Sequence, residues 1–289
     1  MTDTLPETEN WVRMSGVNRR AALAGSAAAL GYALAAQPVS AATAKTPSEG
    51  LVEGMLTFPA GDIAMNAYRA RPAGRKNAPV VLVVQEIFGI HEWIRDTTRR
   101  FAHAGYYAIA PDMFQRQGDP TKAPDIKTLF ETIVSKVPDA QVMADLDRAA
   151  AFAGTDGGNA KKLGITGFCW GGRITWLYAN HNPALKAGVA WYGRLVGPPT
   201  VLQPKNPIDV AAALKAPVLG LYGALDKGIP VSDVEKMNAA LKAAKDPGFI
   251  RLFEGADHGF LADYRPSFNE PAATEGWADA LKWFGRHLA

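Results

Sequence analysis

The chain of 289 residues contains a single cysteine, Cys169. No internal disulfide can form, so the fold has to live on its hydrophobic core. The five histidines are scattered, and no His/Cys cluster has the spacing of a metal site. Neither a metal nor another cofactor is expected. An excess of charge of one sign is also missing. Thirty-one basic side chains face 28 acidic ones, for a net charge of +3, and Lys/Arg runs never exceed two, which excludes a nucleic-acid groove. No apolar stretch reaches the ~20 residues of a membrane span without Gly or polar interruption, which excludes stable membrane insertion. What is present, 48% hydrophobic and 20% charged residues, describes a globular protein with material for a substantial core.

The N-terminus reads as an export signal over residues 1–41. Asn18-Arg19-Arg20 precedes the Ala-rich apolar stretch Ala21 to Ala36, and Val39-Ser40-Ala41 offers small residues to a peptidase. The paired arginines resemble the twin-arginine signal, so the precursor is expected to meet that export machinery and to end in the periplasm or outside the cell. Residues 42–50 (ATAKTPSEG) form a polar linker. A single domain is expected over residues 51–289, as a monomer. An unpaired thiol in an oxidising compartment is a liability unless it is buried or needed, which directs attention to Cys169.

Beyond the linker, Leu51–Phe58 and Asp62–Ala70 predict an antiparallel hairpin around a Pro-Ala-Gly-Asp turn. The β-branched run Pro79–Gln85 suits a strand buried on both faces. Strand and helix patterns then alternate to the C-terminus, ending in the amphipathic stretch Glu275–Leu288. This implies an α/β fold with a mostly parallel, doubly wound sheet flanked by helices. Two stretches rich in Pro and Gly, Asp112–Pro138 and Leu195–Leu214, read as excursions over the sheet edge.

Chemistry concentrates at the ends of the predicted strands. Gly167-Phe168-Cys169-Trp170-Gly171-Gly172 follows a strand and opens a helix, the pattern of a nucleophile elbow with Cys in place of Ser. Such a turn is strained, and glycines let the neighbouring backbone pass close by. Asp226 and His258 each follow a later strand. Nucleophile, acid, histidine is the chain order of α/β-hydrolase triads, and the carboxyl ends of the strands are where such sheets place ligands. Asp257 is adjacent to His258 and badly placed to orient its ring, so Asp226 is the expected orienter. Glu86 ends the most apolar strand, where burial should raise its pKa and leave a protonated carboxyl near the thiol. His91 could lie near the same edge. Phe88 and Trp191, with Trp93, Trp170 and Tyr192, are the aromatic residues available to line a pocket.

These motifs resemble the dienelactone hydrolase (carboxymethylenebutenolidase) family over residues 51–289. The resemblance rests on Gln85-Glu86-Ile87-Phe88-Gly89, Ala110-Pro111-Asp112-Met113-Phe114, the Cys169 elbow, the Asp226 turn, Asp257-His258-Gly259-Phe260, and Asn269-Glu270-Pro271-Ala272-Ala273 through Trp277. It implies an α/β-hydrolase fold and cleavage of a small-molecule ester or enol lactone. Cys169 is then the nucleophile, His258 its base and Asp226 the orienter. Glu86 holds the resting thiol, the backbone N–H groups of Ile87 and Trp170 form the oxyanion hole, and Arg116 grips a substrate carboxylate. One position departs from the family: a second carboxylate-binding Arg four residues after the histidine is here Ala262, with Arg265 three residues further on. A general carboxylesterase or thioesterase shares the same chemistry. A non-catalytic binding or thiol-sensing protein on the same scaffold is the alternative from another class.

Overall fold

The computed structural model describes residues 45–244 and 248–289. The expected export signal, and the linker up to residue 44, lie outside the described residues. Among the described residues, eight strands form one sheet in the order β1-β2-β4-β3-β5-β6-β7-β8. The hairpin is β1 (Leu51–Ala60) and β2 (Ile63–Pro72), paired antiparallel from Leu51↔Pro72 to Ala60↔Ile63. β3 (Ala78–Val84) is buried along its whole length, as its β-branched run demands. The helix α1 (Glu92–His103) leads to β4 (Tyr107–Pro111), which joins β3 in parallel and β2 antiparallel.

The Asp112–Pro138 excursion carries a short helix, α2 (Ile126–Thr132), that hydrophobic periodicity misses because it spans fewer than two turns. Its start was nonetheless signalled: the Asp125 carboxylate accepts the Thr128 N–H at 2.7 Å, an N-cap bond. Next come α3 (Asp139–Thr155), β5 (Gly158–Phe168), α4 (Trp170–His181) and β6 (Leu185–Trp191). β5 begins as early as Gly158, because Gly158 and Asn159 already pair with Ala78 and Pro79 ahead of a register shift. The second excursion holds α5 (Pro207–Val210). β7 (Val218–Gly223), α6 (Val231–Ala243), β8 (Gly248–Phe253) and α7 (Glu270–His287) complete the described chain. All strands from β4 through β8 across the sheet run parallel. Among the described residues, no helix is long and apolar enough to cross a membrane.

The strand order reverses direction at β3, whose successors go first to one side (β4) and then to the other (β5). A crevice opens at such a point, outside the carboxyl ends of the strands. The turn between β5 and α4 stands there. Val84 is in register with Gly167, and Phe168 with Trp191, so the turn lies between the ends of β3 and β6. The contact is very tight. A Cβ on Gly171 would stand 2.3 Å from the Val84 carbonyl oxygen and 2.6 Å from that of Gln85, where no backbone can yield cheaply. Gly171→Ala is therefore expected to cost more than about 3 kcal/mol, whereas Gly74→Ala, in open space, should stay within about 0.5 kcal/mol of wild type. Urea unfolding of both variants measures the difference.

Candidate active site

Cys169 occupies the turn itself, with φ 56° and ψ −113°, a region that side chains rarely adopt. Holding a non-glycine residue there costs roughly 1–3 kcal/mol, which the surroundings must offset. They do so through the backbone. The Cys169 N–H donates to the Trp191 carbonyl at 3.0 Å, and the Cys169 carbonyl accepts from Gly172 and Arg173 at 3.0 and 3.3 Å. Trp170 is the first residue of α4, so its N–H belongs to the unladdered first turn at the positive end of the helix. Ile87, at the end of the segment that leaves β3, is buried.

The other two expected partners converge on this turn. The His258 Nδ1 lies 2.7 Å from an Asp226 carboxylate oxygen, both side chains being buried. The second Asp226 oxygen accepts the Gly228 and Ile229 N–H groups at 2.8 and 3.2 Å, which fixes the carboxylate. The Cys169 side chain acts on the same ring. Burial alone would depress the imidazole, but the Asp226 carboxylate and the Cys169 side chain outweigh it and raise its pKa to about 10. A proton leaving the thiol thus has a stable place on His258. Asp257 accepts the His258 backbone N–H at 2.6 Å and takes no part in orienting the ring through that bond. Tyr192 covers the imidazole edge-on, at 5.1 Å between centroids. The thiol is wholly closed to solvent.

Glu86 departs from expectation. It is fully buried, yet its carboxylate is paired with the Arg265 guanidinium at 2.8 Å and accepts the Tyr264 hydroxyl. The His91 Nε2 lies 3.5 Å away. Burial pushes the carboxyl up, but the Arg265 charge, helped by His91 and Tyr264, wins and holds it at about 2. Glu86 is therefore an ionised carboxylate in a buried ion pair, because an arginine 179 residues away in the chain folds onto it. Arg265 is correspondingly buried rather than facing solvent, and its guanidinium sits over the rings of Tyr264 and Phe88 at 5.2 and 5.6 Å.

The remaining expected residues divide. Phe88 and His91 border a cavity of about 740 Å³ between the β3–α1 segment and the Asp112–Pro138 excursion. Trp191 lies in the core instead, its indole N–H donating to the Thr166 hydroxyl at 3.2 Å and its rings against Phe168 and Phe260. Arg116 is not brought to the thiol cluster. It is committed to Asp145 at 2.5 Å, Asp62 at 2.7 Å and the Ala60 carbonyl at 2.7 Å, tying the hairpin turn to α3. Both differ for one reason: a polar or aromatic side chain satisfied inside the fold has nothing left to offer a ligand. Tyr264 went unnoticed in the sequence; only its adjacency to Arg265, on the loop after His258, hinted at it. Tyr192, one of the aromatic residues expected to be available to a pocket, packs on the His258 ring instead.

A buried thiol on a strained strand-to-helix turn, facing a histidine held by a carboxylate, at the carboxyl edge of a mostly parallel sheet, defines the α/β-hydrolase class. Within that class the chain belongs to the Dienelactone hydrolase family, whose model matches residues 65–288, and it is a hydrolase. It is 54% identical over 273 residues to a Methylorubrum extorquens (strain AM1) protein named "Putative carboxymethylenebutenolidase", covering 94% of each chain. A protein of the same name from Escherichia coli (strain K12) is 51% identical over 258 residues, 89% of this chain and 95% of that one. The crystal structure of a "Putative Dienelactone Hydrolase" from Klebsiella pneumoniae superimposes with a TM-score of 0.81 at 55% identity, covering 82% of this chain and 99% of that one.

The Glu86–Arg265 pair generates a prediction. Glu86→Gln leaves a buried guanidinium without its counter-charge and should cost about 3–5 kcal/mol at neutral pH, and Glu86→Gln/Arg265→Met should recover most of that loss. Because the folded carboxyl titrates near 2 against an ordinary 4.5, its stabilisation is full above about 4.5 and disappears as pH falls toward 2. Denaturant unfolding of wild type and Glu86→Gln across that window should show the gap closing on the acid side.

Proposed function

We propose that the protein cleaves an ester or enol lactone through a Cys169 thioester, with His258 as base and Asp226 as orienter. The observation that carries this reading is the pairing of His258 with Asp226 at 2.7 Å, the same imidazole being raised by the Cys169 side chain on the strained turn. The substrate carbonyl oxygen settles between the backbone N–H groups of Ile87 and Trp170. His258 takes the thiol proton and the sulfur attacks the carbonyl carbon. The resulting oxyanion is held by the two N–H groups, each worth ~2.7–4 kcal/mol in comparable sites. When the C–O bond breaks, His258 returns its proton to the leaving oxygen, and the acyl group remains on sulfur. Water, deprotonated by His258, then attacks the thioester and frees acid and thiol. A thiolate is itself a good leaving group, so the chemistry favours activated esters and enol lactones over amides.

Glu86 supports the site by position rather than by proton transfer. As a fixed carboxylate it anchors Arg265, Tyr264 and His91 around the thiol. The closed thiol requires side chains on the cavity side to move as substrate arrives.

Intact-mass measurement after mixing with p-nitrophenyl acetate or an enol lactone tests the reading. Wild type should carry one acyl group, Cys169→Ala none, and His258→Gln should acylate about 10²–10⁴-fold more slowly. Acylation that persists in Cys169→Ala, or silence toward every ester and lactone, overturns it.

We further propose that the enzyme works outside the inner membrane, on the strength of Asn18-Arg19-Arg20 and the Ala-rich stretch that follows. Arg19→Lys/Arg20→Lys should trap the precursor in the cytoplasmic fraction of a bacterial host. Unchanged fractionation, read by immunoblot, contradicts the export route.

A further inference from the structure

The cavity of about 740 Å³ is large enough for most of a drug-sized molecule. Its walls come from Phe88 and His91 on one side and from Pro120, Ala123, Ile126 and Leu129 of the Asp112–Pro138 excursion on the other. Phe88 and His91 have a second allegiance. Arg265 lies over the Phe88 ring at 5.6 Å, and the His91 Nε2 is 3.5 Å from Glu86. The cavity thus borders the cluster that surrounds Cys169, with two side chains common to both forming the wall between them.

Charge in and around this space is already matched. Asp125 and Lys127 border the cavity but are exposed and of opposite sign, and Lys127 also lies 4.0 Å from Glu131. Of the cations that could meet a substrate carboxylate deeper in, Arg116 is bound by Asp62 and Asp145, and Arg265 by Glu86. Position 262, four residues after His258, is alanine and fully buried. A carboxylate brought beside the Glu86–Arg265 pair would place two negative charges against one positive in a site closed to water, an arrangement with a steep desolvation cost. What the site does offer includes a donor on the cation itself. The Arg265 Nη1 is buried without a hydrogen-bond partner, and it can meet a neutral oxygen without upsetting the balance.

We propose that the substrate is an uncharged ester or lactone whose apolar arm fills this cavity, passing the Phe88 and His91 wall to present its carbonyl to Cys169. The proposal rests on the thioester reading above and adds the substrate class. Burying an aryl-alkyl arm among these side chains should raise specificity by about tenfold or more, the scale on which apolar pockets discriminate.

The test compares kcat/KM for p-nitrophenyl 3-phenylpropanoate, p-nitrophenyl monosuccinate and p-nitrophenyl acetate in the mature protein. The phenylpropanoate should exceed the acetate by about tenfold or more, and the monosuccinate should fall below the acetate. Thr121→Trp, which fills the cavity from its exposed rim, and Ile126→Glu, which charges its wall, should each pull the phenylpropanoate-to-acetate ratio toward one. Two residues are used so that a folding defect in either leaves the other to decide. A wild type that prefers the monosuccinate, or a ratio that neither folded variant alters, overturns the proposal. Intact mass separates the two levels: an acetyl group on Cys169 with no gain from the phenyl arm defeats the cavity assignment alone. No adduct on Cys169 from any of the three esters defeats the thioester reading and this proposal with it.

Discussion

Gly171 has no room for a methyl group, because the carbonyl oxygens of Val84 and Gln85 occupy the place a Cβ would take. Much of the site follows from that contact. It presses the turn between β5 and α4 against the end of β3 and the Gln85 that follows it. It also helps hold Cys169 at a positive φ, since the turn cannot relax outward without losing its seat on β3 and β6. A strained backbone that lifts the thiol off the sheet edge is thus stabilised by close packing of main chain against main chain. Gly167, Gly171 and Gly172, each lying just outside the Phe168 and Trp170 that flank the cysteine, permit that close approach.

The surroundings of the thiol are built from two polar pairs of different character. Asp226 is fixed by backbone N–H groups and meets His258, so its charge is spent on the imidazole. Glu86 is fixed by Arg265 and Tyr264, so its charge is spent before any substrate arrives. Each carboxylate is buried, and each is satisfied by the fold rather than by solvent. The first pair raises the histidine and favours proton capture from sulfur. The second keeps a cation and an anion within the same wall while leaving the wall's net charge close to zero. The cavity beyond it is mostly apolar in its lining, consistent with that neutrality.

Particular residues mark how far the sequence was legible. The Cys169 elbow, Asp226 and His258 could be read because each sits beside its own local signal: flanking glycines, or a polar turn after an apolar run. The hairpin and the alternating strands were legible for the same reason, since periodicity is a local property. Glu86 was legible as a buried carboxylate but misread in its ionisation. Its counter-ion comes from the loop after β8, and nothing near Glu86 in the chain announces it. Arg116 was misleading in the same way, since its partners Asp62 and Asp145 lie 54 and 29 residues off. Trp191 ends a strand next to the elbow, yet its side chain turns inward to Thr166 and Phe168.

The sequence alone determined the class of fold, the order cysteine–aspartate–histidine and the strand ends that carry them. These follow from spacing and composition within a few residues of each position. Only the tertiary structure decided which charges remain available, which aromatic side chains face a cavity, and that the thiol is closed off. Those are properties of pairs brought together across the sheet. A charge is usable or spent according to what folds against it, and that partner can come from anywhere in the chain.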